Sequence, residues 1–151
     1  MPVASPLHPS DTLPAALIAM ATHQAASFYT GSAVFLDCLG DLFTDEGRRP
    51  VQGRDAVRLS FAPVLAANAR AGRLAPPAFC AAGWCDVGGL RSPALEGWVT
   101  ARPQLQGALP HLAESDVVVW LAATARPHTP LFFNAFRLQE GQWRVVAFGN
   151  A

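Results

Sequence analysis

The sequence contains Leu131-Phe-Phe-Asn-Ala-Phe-Arg-Leu138 and, shortly after it, Gln142-Trp-Arg-Val-Val-Ala-Phe-Gly149. Both runs are rich in aromatic and β-branched residues, which favour β-strands. Between them, Glu140-Gly141 has the length of a two-residue hairpin turn, although it is a poorer type I′ pair than Asn-Gly. The pattern therefore predicts an antiparallel hairpin in which Arg137 lies opposite Arg144.

This register gives the hairpin two different faces. One face is apolar apart from a single amide and consists of Phe132, Asn134, Phe136, Leu138, Trp143, Val145 and Ala147. The other face consists of Phe133, Ala135, Arg137, Arg144, Val146 and Phe148. Two arginines in opposition are unfavourable unless they are paired or solvated, so we expect the second face to point outward near the turn. The first face should then lie over helices.

Two helices are predicted upstream of the sheet. The first begins near Pro14, whose missing N–H costs nothing in a first turn, and ends at Gly31. The second carries Asp55 in its first turn, is bent or broken by Pro63, and ends at Gly72. Its apolar stripe is predicted to be Val57, Phe61, Val64 and Leu65.

The remaining segments complete an α+β prediction. Short runs at 41–44, 79–87, 96–102 and 117–124 are predicted strands, and 103–115 is a predicted loop. Helices that precede a mainly antiparallel sheet indicate the α+β class. We expect one domain over 12–151, preceded by an extended, proline-rich arm at 1–11 that is mobile or lies on a neighbouring molecule.

Composition excludes several classes of function. The 151 residues suit one domain, and 51% hydrophobic with 15% charged residues excludes general disorder. Eleven basic and eleven acidic residues cancel, which argues against nucleic acid or an anionic membrane as partner. No apolar run approaches the roughly 18 residues of a membrane span, and no signal-peptide pattern opens the sequence. We therefore expect a cytoplasmic protein.

The cysteines predict neither a metal site nor a disulfide framework. Cys38, Cys80 and Cys85 are odd in number, and their spacing matches no common zinc pattern. Free thiols in a reducing compartment are the expectation, with no metal and no cofactor.

The run at 117–124 predicts self-association, because it is apolar on both faces. Val118, Trp120 and Ala122 would face away from helices packed on the other side of the sheet. An exposed apolar patch of this kind is typical of an interface, so we expect a homodimer through the outer sheet face. The alternative is that the segment 103–115 covers it.

Two motifs resemble the nuclear-transport-factor-2-like superfamily. They are Leu42-Phe-Thr-Asp45-Glu-Gly47-Arg-Arg-Pro50-Val51-Gln-Gly53-Arg54-Asp55-Ala-Val57 and Ala135-Phe-Arg137-Leu-Gln-Glu-Gly141-Gln-Trp143-Arg-Val145. The resemblance implies a strongly curved, cone-shaped half-barrel with an apolar cavity at its wide end. Members of the superfamily include ketosteroid isomerase, SnoaL-like cyclases and dehydratases, as well as non-catalytic binders. The segment 76–115 departs from the family pattern.

The resemblance also implies candidate site residues. The position of the isomerase base falls on Thr44, which cannot abstract a proton near neutral pH, so Asp45 or His23 becomes the candidate base. Tyr29 and Asn134 are the candidate oxyanion donors. The cavity wall is expected to include Phe132, Phe136, Trp98 and Trp143. Each of these residues also has a structural interpretation, as a solvated turn carboxylate, a surface imidazole, an amide bonded to backbone or water, or a core aromatic.

These residues and motifs are compatible with two functions. The first is a protein that binds a small, largely apolar organic ligand with one polar group, and that uses cofactor-free proton transfer if it is an enzyme. The second is a non-catalytic, dimeric binding or assembly module of the same fold.

Overall fold

The computed structural model describes residues 7–40, 42–44, 50–71 and 78–151. In chain order the elements are α1 (Ala15–Thr30), β1 (Leu42–Thr44), β2 (Pro50–Gln52), α2 (Arg54–Arg70), β3 (Phe79–Asp86), α3 (Val87–Leu90), α4 (Glu96–Thr100), α5 (Pro103–Ala108), β4 (Val117–Ala123), β5 (Pro130–Gln139) and β6 (Gln142–Asn150). Strands β3, β4, β5 and β6 form one antiparallel sheet in that order, and β1 pairs with β2 separately. The fold is α+β, as predicted.

The β5–β6 hairpin confirms the predicted turn and its register near the turn. Glu140 and Gly141 both have positive φ, 52° and 77°, as a type I′ turn requires. Arg137 pairs with Arg144, and the same register extends as far as the pair Phe136 and Val145. The two opposed arginines are both paired with other residues. Arg137 donates to Asp116 Oδ2 and Arg144 donates to Gln142 Oε1, which relieves the repulsion between the two charges.

A β-bulge then changes the faces of β6. The register shifts between Ala135 and Phe136, so that Ala135 pairs with Ala147 and Val146 is the additional residue. The predicted faces of Ala147 and Phe148 were therefore wrong, since one inserted residue reverses the alternation beyond it. Phe148 packs on the α1 and α2 side of the sheet, and Ala147 packs on the opposite side.

Helices α1 and α2 pack closely on one face of the sheet. α1 ends in a Schellman motif: Gly31 adopts φ 73°, its N–H donates to the Phe28 carbonyl, and the Ser32 N–H donates to the Ser27 carbonyl. A Cβ on Gly31 would collide with the backbone of α2 at Leu65 and Ala69. The glycine therefore both ends α1 and permits this close helix contact.

The second helix differs from the prediction in two details. It runs without a break from Arg54 to Arg70 although Pro63 lies inside it. Pro63 is exposed, so the carbonyl group that loses its N–H partner can be hydrated. Val64 was wrongly assigned to the apolar stripe, because it is exposed while Val57, Phe61 and Leu65 are buried. The residue predicted to end the helix, Gly72, lies outside the described residues.

The opposite face of the sheet is covered by the chain itself, in part by the segment 103–115, which was the alternative to the homodimer interface. The run at 96–102 is not a strand, because Glu96–Thr100 is helix α4, and the predicted loop at 103–115 contains helix α5. Pro103 occupies the first turn of α5, where proline is favoured. Apolar residues recur every three or four positions through much of this segment: Leu95, Val99, Leu105, Ala108 and Leu112.

The homodimer prediction rested on an exposed apolar face of the 117–124 strand. Helices α3, α4 and α5 cover that face, so this reason for a dimer no longer holds. Val118 and Trp120 are fully buried within a single chain on the face covered by α3, α4 and α5, and Ala122 is fully buried as well. A dimer through the outer sheet face would require those helices to leave it, so that face was wrongly chosen. The oligomeric state itself stays a prediction.

The end of the predicted arm lies on the domain's own sheet. His8 pairs with Trp84 on the edge strand β3 through two backbone hydrogen bonds, and their rings lie 4.6 Å apart. The Trp84 indole N–H donates to Thr12 Oγ1 at 2.7 Å. This pairing shields part of an exposed sheet edge. Within the described ranges, no helix combines the length and apolar character needed to cross a bilayer.

Candidate functional site

A fully buried amide lies in the middle of the sheet. Asn134 occupies the centre of β5 on the α1 and α2 side, opposite Val119 on β4 and Phe148 on β6. Its exposed fraction is 0%, and neither Oδ1 nor Nδ2 has a hydrogen-bond partner among the residues that the structure describes. A buried polar group without a partner costs about 1–3 kcal/mol, so such groups are rare in native proteins.

A second buried amide, half of it unpaired, belongs to the same core layer. Gln24 on α1 is fully buried, and its Nε2 donates to the Phe35 carbonyl at 3.0 Å. Its Oε1 accepts from nothing in the described part of the chain. Gln24 lies one helical turn before Phe28, whose ring is 4.7 Å from that of Phe148, the cross-strand neighbour of Asn134. The two amides therefore neighbour two rings that contact each other, Phe28 for Gln24 and Phe148 for Asn134.

Aromatic rings fill the space around these amides. Phe132 stacks on Phe148 at 5.4 Å and contacts the ring edge of Phe28 at 5.9 Å. Phe79 lies 5.9 Å from Phe132, and Tyr29 lies 6.3 Å from Phe79. Tyr29, Phe79 and Phe132 are only half-buried, so this end of the cluster reaches the surface. We call Phe28, Tyr29, Phe79, Phe132 and Phe148 the aromatic cluster.

The structure brings together part of the predicted site. Tyr29 and Phe132 belong to the aromatic cluster, and Asn134 follows Phe132 on the same face of β5. Phe136 comes next on that face and is fully buried in the same core. These four predicted residues share one region of the molecule.

The other predicted residues lie elsewhere. His23 is exposed on α1, with Nε2 3.5 Å from Ser27 Oγ. Trp143 pairs with Leu138, six residues along β5 from Phe132 and hence about 20 Å from it. Trp98 packs on the opposite face of the sheet. Asp45 lies outside the described residues.

The described residues provide no unpaired buried carboxylate beside the Asn134 amide. Asp116 is their only buried carboxylate, and it is fully engaged with Arg137 at 2.7 Å. The arrangement around Asn134 can hold a polar group by hydrogen bonds and bury an apolar body.

The face that holds Trp98 has its own unusual cluster, which the sequence pattern did not predict. The Arg102 guanidinium carbon lies 3.4 Å from the centre of the Trp98 ring, and Trp98 contacts Trp120 edge to face at 6.0 Å. Burial lowers the pKa of Arg102. The spacing of Trp98 and Arg102, one helical turn, is the signal that could have indicated this contact, but 96–102 was predicted as a strand.

Two of the three free thiols are less acidic than usual. Cys85 is buried and Cys38 is half-buried, and in both cases burial is the main cause that raises the pKa. Neighbouring carboxylates add to this, Asp37 for Cys38 and Asp86 for Cys85. Neither thiol is therefore prepared to act as a nucleophile at neutral pH.

A polar cleft lies at the turn of the hairpin, separate from Asn134. Its volume is about 430 Å³, and it is lined by Arg54, Gln139, Glu140, Gln142 and Arg144. Arg144 donates to Gln142 Oε1 at 2.8 Å. Apolar ligands have little to bury in this cleft, so it does not suit the ligand class predicted from the sequence.

Comparison with known proteins leaves the family open. No protein-family model matches the chain, and no curated protein has a significant sequence match to it. The resemblance to the nuclear-transport-factor-2-like superfamily therefore stays a prediction, and function must be argued from the site itself.

Proposed function

We propose that this protein binds a small, largely apolar organic molecule in the aromatic cluster, with the Asn134 amide as its polar contact. The observation that carries the proposal is the lack of any described partner for this amide at 0% exposure. A polar group of a ligand would supply the missing hydrogen bonds and recover part of the cost of burial. The finer architecture that we propose is the cone-shaped half-barrel of the resemblance, with its wide end at Tyr29, Phe79 and Phe132.

Ligand entry requires Phe132 to move. The atoms of the Asn134 amide are sealed from solvent, and Phe132 is the half-buried ring immediately before it on the same face. A ligand with an apolar body can replace the contacts that Phe132 makes with Phe28 and Phe148. Phe132 is therefore a plug that the ligand displaces, and the closed form is the ligand-free state of a two-state equilibrium.

Proton-transfer chemistry stays a prediction attached to Asp45, which lies outside the described residues. Binding is the better supported activity, since the described residues around Asn134 include hydrogen-bonding groups but no unpaired buried carboxylate. Free thiols support the cytoplasm as the compartment.

The test compares acetophenone, which has one acceptor oxygen, with ethylbenzene, which has none. Both are titrated against the wild type and Asn134→Leu, with binding followed by ligand-observed NMR. We expect wild type to bind acetophenone more tightly, and Asn134→Leu to lose about tenfold in acetophenone affinity while ethylbenzene is unaffected. Phe132→Ala should strengthen binding of both, because it removes the plug.

Gln106→Leu is the matched control, because it deletes an exposed amide on the opposite face of the sheet. Its affinities should equal those of wild type. Failure of both ligands to saturate either wild type or Phe132→Ala would overturn the proposed function.

A further inference from the structure

The polar cleft at the hairpin turn is a second candidate site, which the proposed function does not use. Its volume of about 430 Å³ lies in the range of small-molecule sites, roughly 300–1,000 Å³. Gln139, one of its lining residues, follows Phe132 by seven residues on β5, which corresponds to about 23 Å along the strand. The cleft and the aromatic cluster are therefore separate sites.

The charges that line the cleft favour an anion. Among the described residues they are two guanidinium groups, from Arg54 and Arg144, and one carboxylate, from Glu140, so that two positive charges and one negative charge leave a net charge of +1. Within the described ranges the only ion pair joins Arg137 to Asp116, so no described carboxylate pairs with either arginine of the cleft. Their positive charge is therefore available to a ligand.

Two hydrogen bonds fix the guanidinium of Arg144. The residue is half-buried, its Nη2 donates to Gln142 Oε1 at 2.8 Å, and its Nη1 donates to the Asp37 carbonyl at 3.4 Å. These bonds use two of the five N–H groups of a guanidinium. Because its orientation is already fixed, Arg144 loses little entropy when its remaining N–H groups bind an oxyanion.

Arg54 reaches the same cleft from a different element. It is the exposed first residue of α2, whereas Arg144 lies on β6. The planar forks of two arginines fit phosphate oxygens in pairs, and their two charges match a dianion. A phosphate monoester carries close to two negative charges near neutral pH, whereas a carboxylate carries one. The arginines therefore favour a phosphate monoester over a carboxylate.

The other lining residues indicate what the phosphate is attached to. The amides of Gln139 and Gln142 and the carboxylate of Glu140 offer donors and acceptors that suit hydroxyl groups. The described lining residues include no apolar or aromatic side chain on which a hydrocarbon body could pack or a nucleotide base could stack. We infer that the cleft binds the phosphate monoester of a polyhydroxy compound, which is the chemistry of a sugar phosphate.

The experiment measures dissociation constants with wild-type protein by isothermal titration calorimetry, at low ionic strength so that charges are weakly screened. The probes are glucose 6-phosphate, gluconate, glucose and inorganic phosphate. We expect gluconate to bind about tenfold more weakly than glucose 6-phosphate, and glucose not to bind measurably, because each lacks anionic charge. Inorganic phosphate should bind about fivefold more weakly, because it lacks the hydroxyl contacts. A glucose 6-phosphate affinity no higher than that of gluconate or of inorganic phosphate would overturn the assignment.

Variants of the two arginines test the site itself. Arg54→Gln and Arg144→Gln should each weaken glucose 6-phosphate binding about tenfold. Arg126→Gln is the matched control, because it removes the same charge from an exposed arginine between β4 and β5, at the end of β5 away from the cleft. It should change the affinity by less than about twofold. An equal loss in Arg126→Gln, or an unchanged affinity in Arg54→Gln, would overturn the site.

Glu140→Gln tests the sign of the charge effect. It removes the one negative charge among the described lining residues, so binding of inorganic phosphate should strengthen about threefold. Weaker phosphate binding by this variant would contradict an anion site. Asn134→Leu should leave the affinities for all four probes unchanged, so this inference and the proposed function succeed or fail on different ligands.

Discussion

Two buried polar side chains on opposite faces of the central sheet, Asp116 and Asn134, differ in how far their hydrogen bonds are satisfied. On the face covered by α3, α4 and α5, the Asp116 carboxylate is 1% exposed and accepts from Arg137 Nε and Nη2 and from the Ala113 N–H, at 2.7 to 3.1 Å. On the face covered by α1 and α2, the Asn134 amide is equally buried and accepts or donates nothing within the described structure. The first group is fully paired, and the second has no described partner.

We propose that the difference separates a polar group that holds the fold from one that is available to a ligand. A buried carboxylate whose oxygens are both bonded fixes the strands and helices around it, and removal of one partner is costly. A buried amide without partners lowers stability, so the fold alone gives no reason for it. The contrast predicts effects of opposite sign when the two groups are deleted.

The largest effect is expected at Asp116. Asp116→Leu keeps a side chain of four heavy atoms but leaves the Arg137 guanidinium and the Ala113 N–H without their acceptor. We expect the free energy of unfolding to fall by about 3 kcal/mol, measured by urea denaturation. Exposed Glu114, two residues earlier, is the control, and Glu114→Leu should change stability by less than about 0.5 kcal/mol. Equal stability of Asp116→Leu and wild type would contradict the structural role.

A smaller effect of opposite sign is expected at Asn134. Leucine matches the branching of asparagine, and Asn134→Leu removes two unpaired polar atoms from an apolar layer. The free energy of unfolding should rise by about 1–2 kcal/mol in the same urea assay. The variant would then be more stable than wild type and defective in binding acetophenone. Marked destabilisation instead would indicate that the amide makes a structural hydrogen bond.

The two strands of the hairpin show how much of this site could be predicted from the sequence. Alternation along β5 was enough to assign Asn134 to an otherwise apolar inner face, because a strand has a strict period of two. The β-bulge opposite Ala135 and Phe136 was not predictable, since no residue pattern indicates an additional residue in β6. The faces of Ala147 and Phe148 were wrongly predicted for that reason.

The helices that cover the outer face were missed for a different physical reason. Residues 96–112 have modest helix propensity, with Gly97, Pro103 and Gly107 interrupting them, and their helices are short. Such helices are stabilised mainly by the apolar sheet face on which they pack, so local sequence alone underestimates them. Trp98 was expected in the cavity wall near Asn134 because 96–102 was predicted as a strand. It lies on the other side of the sheet, in helix α4.

The smallest effect, and the finest test of the comparison, is expected at Gln24. Its amide is half paired, because Nε2 donates to the Phe35 carbonyl while Oε1 has no donor within the described ranges. Gln24→Met keeps the length of the side chain, so it loses one hydrogen bond and removes one unpaired oxygen. These changes offset each other, and we expect the free energy of unfolding to stay within about 0.5 kcal/mol of wild type.

We expect the free energy of unfolding to fall in Asp116→Leu, to rise in Asn134→Leu and to change little in Gln24→Met. This order follows the fraction of hydrogen bonds that each buried group has satisfied. A loss of more than about 1.5 kcal/mol in Gln24→Met would contradict that order, because it would require Oε1 to have a partner of its own.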